Sequence, residues 1–242
     1  TVTPTEAGAR VLARARAFLQ SARDLRAAAV DDRTAGELHA GSVATAMTGL
    51  VPDILARLAK SHPRVRVRVS PGGSGDLYEK VNRGELDAAI VVKPEFALAK
   101  ACEWRPLRAE PLLVIAPTAL RERDPNVLLA REPFIRLSRD TAGGRLVDRY
   151  LRREGIVPQE RFEVTSLFAI TRLVDRGLGV ALIPDWPPPW PEGVRLRRIP
   201  VDSPEHARQV GVVYPRASVR AGPVQAFVEA ATAVAAGPLS RT

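Results

Sequence analysis

The spacing of hydrophobic and polar residues divides the chain into a helical N-terminal segment and a longer part that alternates between strands and helices. From Thr5 to Ala29 the chain is rich in Ala, Arg and Leu, which are good helix formers, and it contains no Pro. Apolar residues recur there at alternating spacings of four and three residues, namely Val11, Ala15, Phe18, Ala22, Leu25 and Ala29. This heptad pattern is typical of a helix that pairs with another helix. An ordinary amphipathic helix is the alternative, because the small Ala side chains weaken the seam.

The segment after this helix predicts a parallel α/β unit. Residues 30–37 are polar and are expected to form a linker. Strands are then predicted at 38–43, 65–69 and 87–92, with helices at 50–63 and 75–84 between them. The strict alternation of Val and Arg at 65–69 predicts a strand with one apolar face. A βαβαβ order of this kind implies a parallel sheet with right-handed crossovers.

The middle of the chain repeats this alternation of strands and helices. Strands are predicted at 111–117, 133–138, 161–166 and 179–184, with helices at 144–155 and 167–177, and two late strands precede a closing helix at 218–236. The Pro-rich segment 184–193 is predicted to be a rigid loop after a strand; a polyproline ligand for another domain is the alternative.

The two α/β halves predict two lobes. The chain leaves the first half near Pro94 to Lys100, builds the second half and returns for the last helix. Two crossing strands would form a hinge beside a cleft, which is a natural place for a ligand. The predicted boundaries are 1–33 for the N-terminal helix, 34–97 with 201–242 for the first lobe, and 98–200 for the second.

Charge and composition narrow the choice of partner only partly. The formal net charge of +9 and the sequence pI of about 10.6 point towards a polyanion such as DNA. Only four of the 36 basic residues are Lys, and the arginines are scattered. Such an excess of Arg with many Ala is also typical of a GC-rich genome, so a direct nucleic-acid surface stays one of two alternatives.

Enzyme and metal signatures are missing from the sequence. Cys102 is the only cysteine, which excludes an intrachain disulfide and a cysteine-based zinc site and is typical of a small buried apolar group. His39, His62 and His206 do not have metal-ligand spacing, and there is no G-x-S-x-G motif. We therefore expect no catalysis, metal or cofactor. No apolar run is long enough to span a membrane and the N-terminus is polar, so a cytoplasmic protein is expected.

The glycine-rich segment GGSGDL, beginning at Gly72, lies between a predicted strand and a helix. It lacks the Gly-Lys-Ser/Thr ending of a P-loop and the spacing of a dinucleotide-binding loop. The free N–H groups of a helix N-terminus suit a small anion, which makes Gly73 and Ser74 candidate ligands. The alternative is a tight βα turn in which Ser74 or Asp76 caps the helix.

Hydroxyl groups follow other predicted strands as well. They belong to Ser42, Thr45, Thr48, Ser138, Thr141, Thr165 and Ser166, and Arg139 lies among them. Because open α/β sheets bind ligands at the carboxyl ends of their parallel strands, these residues could form a small-anion site. Helix N-caps are the alternative. Lys93, just past a buried strand, is either a counter-ion or a surface lysine, and Phe168 lines the cleft or belongs to the core.

Four stretches, in this order, resemble the LysR-type transcriptional regulators: TVTPTEAGARVLARARAFL, LVPDILARLAKSHPRVRVRVSPGGSGDLYEKVNRGELDAAIV, EPFIRLS and AITRLVDRGLGVALIP. The first is similar to the end of the family's DNA-binding wing and its linker helix. The second is similar to the first-lobe signature, and the last two to the second lobe. The family's winged helix-turn-helix would precede the first stretch, so the resemblance implies a regulator that lacks its DNA-reading domain here.

The resemblance implies a fold, partners and a site. The fold would be a two-lobed, periplasmic-binding-protein-like (type 2) α/β domain with two crossover hinge strands, preceded by a long linker helix for dimerisation. A small anionic effector would bind between the lobes, at the matching positions Thr45, Gly73, Ser74, Val92, Lys93, Ser138, Arg139, Thr165 and Ser166. The protein would act as a homodimer or tetramer on promoter DNA, with no membrane partner.

Two further points qualify this expectation. In anion-sensing members of the family the position after Thr45 is often polar, whereas here it is Ala46, followed by Met47; the resemblance therefore disfavours a sulfate-like ligand and favours one with an apolar part. The alternative function is a solute-binding protein of a transporter with the same fold. Such a protein would need a secretory signal or a lipid anchor, and it would lack the heptad helix.

Overall fold

The computed structural model describes residues 4–28, 35–202, 204–218 and 220–237. The predicted N-terminal helix is confirmed as α1, Glu6–Ala28. The predicted linker is wrong at its end, because strand β1 already begins at Ala35; Gly36 takes a positive φ of 134° there, a conformation that glycine adopts without strain. Residues 30–34 and the predicted seam residue Ala29 lie outside the described residues.

The remaining elements alternate along the chain. The strands are β1 Ala35–Ser42, β2 Arg64–Pro71, β3 Ala88–Val92, β4 Cys102–Glu110, β5 Leu112–Pro117, β6 Pro133–Leu137, β7 Gln159–Val164, β8 Ala181–Pro184, β9 Leu196–Pro200 and β10 Arg208–Pro215. The helices are α2 Ala44–Thr48, α3 Leu50–Ser61, α4 Ser74–Asn82, α5 Pro125–Arg131, α6 Ala142–Arg153, α7 Leu167–Asp175 and α8 Ala221–Ala236, with a 3-10 turn at Pro204–His206.

These elements form two compact units. Unit 1 takes Thr1–Val91, Glu95–Arg105 and Val212–Ala236, and unit 2 takes Val92–Pro94, Pro106–Gly211 and Gly237–Thr242. Strands β4 and β10 each contribute residues to both units. The lobe boundaries drawn above, 34–97 with 201–242 and 98–200, stay a prediction.

Unit 1 is built on a sheet with the strand order β2-β1-β3-β10-β4, in which β1 pairs parallel with both β2 and β3. The helices cover both faces. A Cβ built on Gly36 would lie 3.5 Å from Pro223 of α8, and one built on Gly41 would lie 2.5 Å from Leu77 of α4. Because these two glycines differ by an odd number of residues, they face opposite sides of the strand. The predicted βαβαβ unit is therefore confirmed.

The strands of unit 2 are not all parallel, although a second parallel α/β half was predicted. Strand β5 pairs antiparallel with β8 and with β9, while β6 and β7 form a parallel pair. A single bridge between Phe134 and Val180 connects the two groups of strands. The prediction failed because β5 and β8 are buried almost throughout, and an uninterrupted apolar run does not specify strand direction.

Three elements were not predicted: the short α2, the strand β4 and the helix α5. The β4 residues between Cys102 and Glu110 are mostly exposed or half-buried and show no regular alternation. The α5 helix did carry a local signal. Asp124 is its N-cap and accepts hydrogen bonds from the backbone N–H groups of Asn126 at 2.8 Å and Val127 at 3.1 Å, and Pro125 occupies the first helical position.

The Pro-rich segment after β8 is a loop, as predicted, and it is anchored by its tryptophans. Trp186 is fully buried, and Trp190 stacks on it with ring centroids 4.3 Å apart and 2° between the planes. The indole N–H of Trp190 donates to the Trp186 carbonyl oxygen at 3.0 Å. Arg198 lies over the Trp190 ring at 4.4 Å. These contacts place the segment in the structure of unit 2.

Candidate functional site

In unit 1, backbone hydrogen bonds bring the carboxyl ends of β1, β2 and β3 together. The N–H of Gly72, just after β2, donates to the Ser42 carbonyl oxygen at 3.2 Å. The N–H of Val43, just after β1, donates to the Ile90 carbonyl oxygen of β3 at 3.0 Å. The start of α2 and the glycine-rich turn therefore lie at the same edge of this sheet, where open α/β sheets bind ligands.

The glycine-rich turn has an open backbone. Gly73 is the N-cap of α4, and no side chain caps the first turn of that helix. Gly73, and not Ser74 or Asp76, therefore occupies the N-cap position, and the Asp76 carboxylate pairs with Lys80 at 2.8 Å. A Cβ built on Gly73 would meet nothing within 4 Å. The turn therefore has open space beside Gly73 at the N-terminus of α4. The half-buried Ser74 is the next residue.

The hydroxyl groups after β1 are more enclosed. Ser42 is fully buried and donates to the Val43 carbonyl oxygen at 3.1 Å. Thr45 lies in α2 and is 5% exposed. The N-cap of α2 is Val43, so none of the hydroxyls of Ser42, Thr45 and Thr48 caps this helix. The alternative that these hydroxyls are N-caps is therefore wrong for α2. Thr45 is a buried polar residue that lies close to the strand ends.

Val92 and Lys93 come at the end of β3. Val92 is the last residue of the strand and is 9% exposed, while Lys93 is exposed. The backbone N–H of Lys93 donates to the Gln209 carbonyl oxygen of β10 at 2.8 Å, which fixes the backbone at this position.

In unit 2, the end of β6 meets the end of β7 and the start of α6. The Ser138 N–H donates to the Val164 carbonyl oxygen at 3.0 Å. Thr141 is the N-cap of α6 and accepts from the Gly144 N–H at 2.9 Å. Gly144 packs so closely that an added Cβ would lie 2.7 Å from the Leu137 carbonyl oxygen and closer still to that of Ser138. Capping is therefore confirmed for Thr141, and Ser138 is held, 5% exposed, beneath the helix start.

The guanidinium of Arg139 is surrounded by carboxylates of its own unit. It pairs with Asp148 at 3.1 Å, with Glu160 at 2.7 Å and with Glu163 at 3.7 Å. Arg136, whose side chain is 3% exposed, pairs with Asp148 at 2.5 Å and also with Glu160. Hydrogen bonds from Arg139 and then Arg136 lower the pKa of Glu160 to about 2. The charge of Arg139 is thus largely balanced before any ligand arrives.

The start of α7 brings the last predicted residues together. Ser166 is its N-cap and accepts from the Ala169 N–H at 3.3 Å, as the capping alternative predicts, while Thr165 is exposed. Phe168 is half-buried and packs edge-on against Trp186 at 5.6 Å between ring centroids, as part of the core of unit 2. Trp186, two residues after the end of β8, is fully buried in that core.

The predicted seam of α1 is largely exposed where its side chains are described. Val11 is 67% exposed and Phe18 is 73% exposed, with Ala15 exposed and Ala22 half-buried. The position of the Leu25 side chain lies outside the described residues. Exposed large apolar residues seven positions apart on one helix are expected where a helix has a partner.

Other chemistry is limited within the described part of the chain. No group of three or more His, Cys, Asp and Glu residues there could hold a metal ion, and no described helix is long and apolar enough to cross a membrane. Cys102 is 6% exposed, as expected for a buried apolar group. Burial, and secondarily the charge of Glu79, raise the pKa of its thiol.

A family model, the LysR substrate binding domain, matches residues 31–236. The chain belongs to the LysR-type regulator family. It is 32% identical over 194 residues to the transcriptional activator IlvY of Salmonella typhimurium, covering 76% of this chain and 65% of that protein. It is 29% identical over 225 residues to the DNA-binding transcriptional dual regulator OxyR of Escherichia coli, covering 87% and 70%. The chain thus spans about two thirds of the length of these LysR-type relatives.

Solved structures show the same fold. The effector-binding domain of QuiR in complex with shikimate superposes with a TM-score of 0.70 at 18% identity, over 82% of this chain and 96% of that one. A LysR family regulator from Pseudomonas aeruginosa gives a TM-score of 0.70 at 20% identity, over 95% and 81%. The expected two-lobed, periplasmic-binding-protein-like α/β fold of LysR effector domains is therefore confirmed.

Proposed function

We propose that this chain is the effector-sensing and oligomerisation part of a LysR-type transcriptional regulator. Its effector is a small anion, a carboxylate with an apolar part, and the residues that we assign to it lie at the ends of strands. In unit 1 the contacts come from Thr45 and the Gly73–Ser74 turn, and Val92 and Lys93 contribute from the segment of unit 2 at the end of β3. In unit 2 they come from Ser138, Thr165 and Ser166, with Phe168 beside the apolar part.

One observation carries this proposal. In unit 1, hydrogen bonds join the ends of three parallel strands, and the uncapped first turn of α4 opens there beside the unobstructed Gly73. Backbone N–H groups at such a helix start favour negative charge. Arg139 is assigned a supporting role, because its guanidinium already pairs with three carboxylates, whereas Lys93 is an exposed cation.

The rest of the regulator follows by analogy with the family. The exposed α1 seam pairs with a second copy to give a homodimer or tetramer, and an N-terminal domain binds promoter DNA. Binding of the effector shifts the population of two arrangements to the extent that it prefers one of them. Such a regulator works in the cytoplasm and catalyses no reaction. A solute-binding protein of a transporter is disfavoured, because the relatives in hand are transcriptional regulators.

A peroxide sensor is the second candidate, since one relative is a hydrogen peroxide-inducible genes activator. Thiol-based sensing needs an accessible thiolate and, for a disulfide within the chain, a second cysteine. This chain has one cysteine, which is buried and whose pKa is raised. The thiol chemistry of this chain therefore favours a small-molecule effector over peroxide.

A thermal-shift screen against shikimate, aromatic carboxylates, aliphatic carboxylates, sulfate and phosphate tests the proposal. A ligand at about 100 times its dissociation constant adds roughly 2.7 kcal/mol of stability, which is a shift of a few degrees for a chain of this size. We expect a carboxylate to produce such a shift and sulfate to produce none. No shift from any carboxylate would contradict the proposed effector class.

A further inference from the structure

Strand β2 carries a straight row of exposed arginines. Arg64, Arg66 and Arg68 are exposed, whereas Val65 and Val67 between them are half-buried. Strand β2 lies at the edge of its sheet, next to β1. At a rise of about 3.3 Å per residue, the three arginines stand roughly 6.6 Å apart along a line about 13 Å long. We call these three residues the β2 arginine row.

The side of the sheet that carries this row is only partly covered. The register pairs Arg66 with Glu37 and Ser70 with Gly41, so these residues share one face. Leu77 of α4 packs over Gly41 on this face. The end of the face that holds Arg66 and Glu37 stays exposed. The register places the guanidinium groups of Arg66 and Arg68 on the same face as the carboxylate of Glu37.

Two of these arginines have no ion-pair or hydrogen-bond partner among the described residues. Neither Arg66 nor Arg68 makes an ion pair or a hydrogen bond with another residue that the structure describes. Many other arginines are paired, such as Arg136 with Asp148 and Glu160. The stability of the fold does not account for this row. The three side chains are exposed, and like charges side by side on a strand do not stabilise the sheet.

We propose that the β2 arginine row binds the sugar-phosphate backbone of double-stranded DNA without reading its sequence. Phosphates follow each other every 3.4 Å of rise along the helix axis, and because each strand winds around that axis, consecutive phosphates lie roughly 6 to 7 Å apart, which matches the spacing of about 6.6 Å. Guanidinium groups bind phosphate through paired hydrogen bonds. Evenly spaced identical charges on a flat, open face fit a regular polymer of anions better than a compact anion, which needs a pocket. This contact is separate from the effector site.

Fluorescence anisotropy of the chain with a labelled duplex of about 30 base pairs tests this proposal across a salt series. The double variant Arg66→Gln/Arg68→Gln removes two contacts, and its control Arg172→Gln/Arg176→Gln removes two exposed arginines of unit 2. Log affinity falls by about 0.9 per phosphate contact for each log unit of salt. Between about 50 and 200 mM salt, the affinity loss should therefore be about 12-fold smaller for the β2 variant than for the unchanged chain.

The control separates a local contact from overall charge, because each double variant lowers the net charge from +9 by two. We expect the control to keep the salt slope of the unchanged chain, and Glu37→Gln to raise the affinity. Equal effects of the two double variants, or an unchanged slope in the β2 variant, would overturn the proposal. Binding of poly-glutamate that depends on Arg66, with no dependence for the duplex, would assign the face to an acidic protein and would also overturn it.

Discussion

Arg139 and Glu160 are joined by an ion pair with an Nη2–Oε1 distance of 2.7 Å. The same carboxylate also pairs with the buried Arg136, so it links the end of β6 to β7 through two guanidinium groups. A carboxylate between two cations is held in its charged form, which is why the pKa of Glu160 falls to about 2. The pair stabilises the strand ends next to Ser138.

Stability should depend on this carboxylate in the acid range. Because the folded-state pKa of Glu160 lies below its ordinary value of 4.5, its contribution is present above about pH 4.5 and is lost as the pH falls towards 2. Glu160→Gln should lower the free energy of unfolding at pH 7 by about 1 to 2 kcal/mol, since water screens a side chain that is about one third exposed. Urea denaturation at a series of pH values measures this difference.

The control for this prediction is Glu163→Gln on the same strand. Glu163 is 47% exposed and 3.7 Å from Arg139, so its removal should change stability by less than about 1 kcal/mol. A deficit of the Glu160 variant that stays constant from pH 7 to pH 3 would contradict the assigned pKa.

Gly144 should be intolerant of a side chain. An added Cβ would overlap the backbone carbonyls of Leu137 and Ser138, so α6 would have to move away from β6. We expect Gly144→Ala to lower the free energy of unfolding by roughly 2 to 4 kcal/mol, as measured by urea denaturation. Gly75→Ala is the matched control, because its Cβ meets nothing within 4 Å and Ala is the better helix former. A neutral Gly144→Ala would show that α6 does not press on the strand end.

Cys102 should be unreactive in the folded chain. Its thiol is buried and its pKa is raised, chiefly by burial, so little thiolate is present or accessible at pH 7. Labelling with a thiol reagent should proceed at least about 100 times faster in denaturant than in buffer. Hydrogen peroxide should leave both the labelling and the melting temperature unchanged. Rapid native labelling would revive the peroxide-sensing alternative.

Helix α1 should mediate dimerisation. Val11 and Phe18 lie two turns apart and are both largely exposed, which is unfavourable unless another surface covers them. We expect the chain to be a dimer or larger by light scattering at micromolar concentration, and Phe18→Glu to shift it towards the monomer. Arg10→Glu, a charge change away from the seam, should leave the mass unchanged. A monomeric unchanged chain would contradict the assigned role of α1.

The elements that the sequence predicts best are those in which one periodicity dominates. The Val and Arg alternation of β2 and the apolar spacing of α3 each follow from side-chain directions that repeat along a strand or a helix. The antiparallel pairing of β5 with β8 was missed, because a fully buried strand carries no directional pattern. Strand β4 was missed because it is neither alternating nor buried.

The sequence predicts which candidate site residues lie at strand ends, but it does not predict which side chains contact each other. The predicted order of parallel strands was sufficient to place Thr45 and Ser74 just after strand ends. The sequence did not reveal that Arg139 is surrounded by Asp148, Glu160 and Glu163, because these partners lie 9 to 24 positions away on α6 and β7. Nor did it indicate that Trp186 packs against Phe168. Long-range contacts of this kind follow from the fold and not from local pattern.

Calorimetric titration with the best carboxylate from the ligand screen tests the proposed function most directly. One variant in each unit, Ser74→Ala and Thr165→Ala, removes a hydroxyl of the proposed effector site, and Ser61→Ala on α3 is the control. We predict that each site variant weakens binding by about 10-fold or more, as expected for the loss of a hydrogen bond to a charged group, and that the control binds normally. Unchanged affinity in both site variants would contradict the proposed effector site.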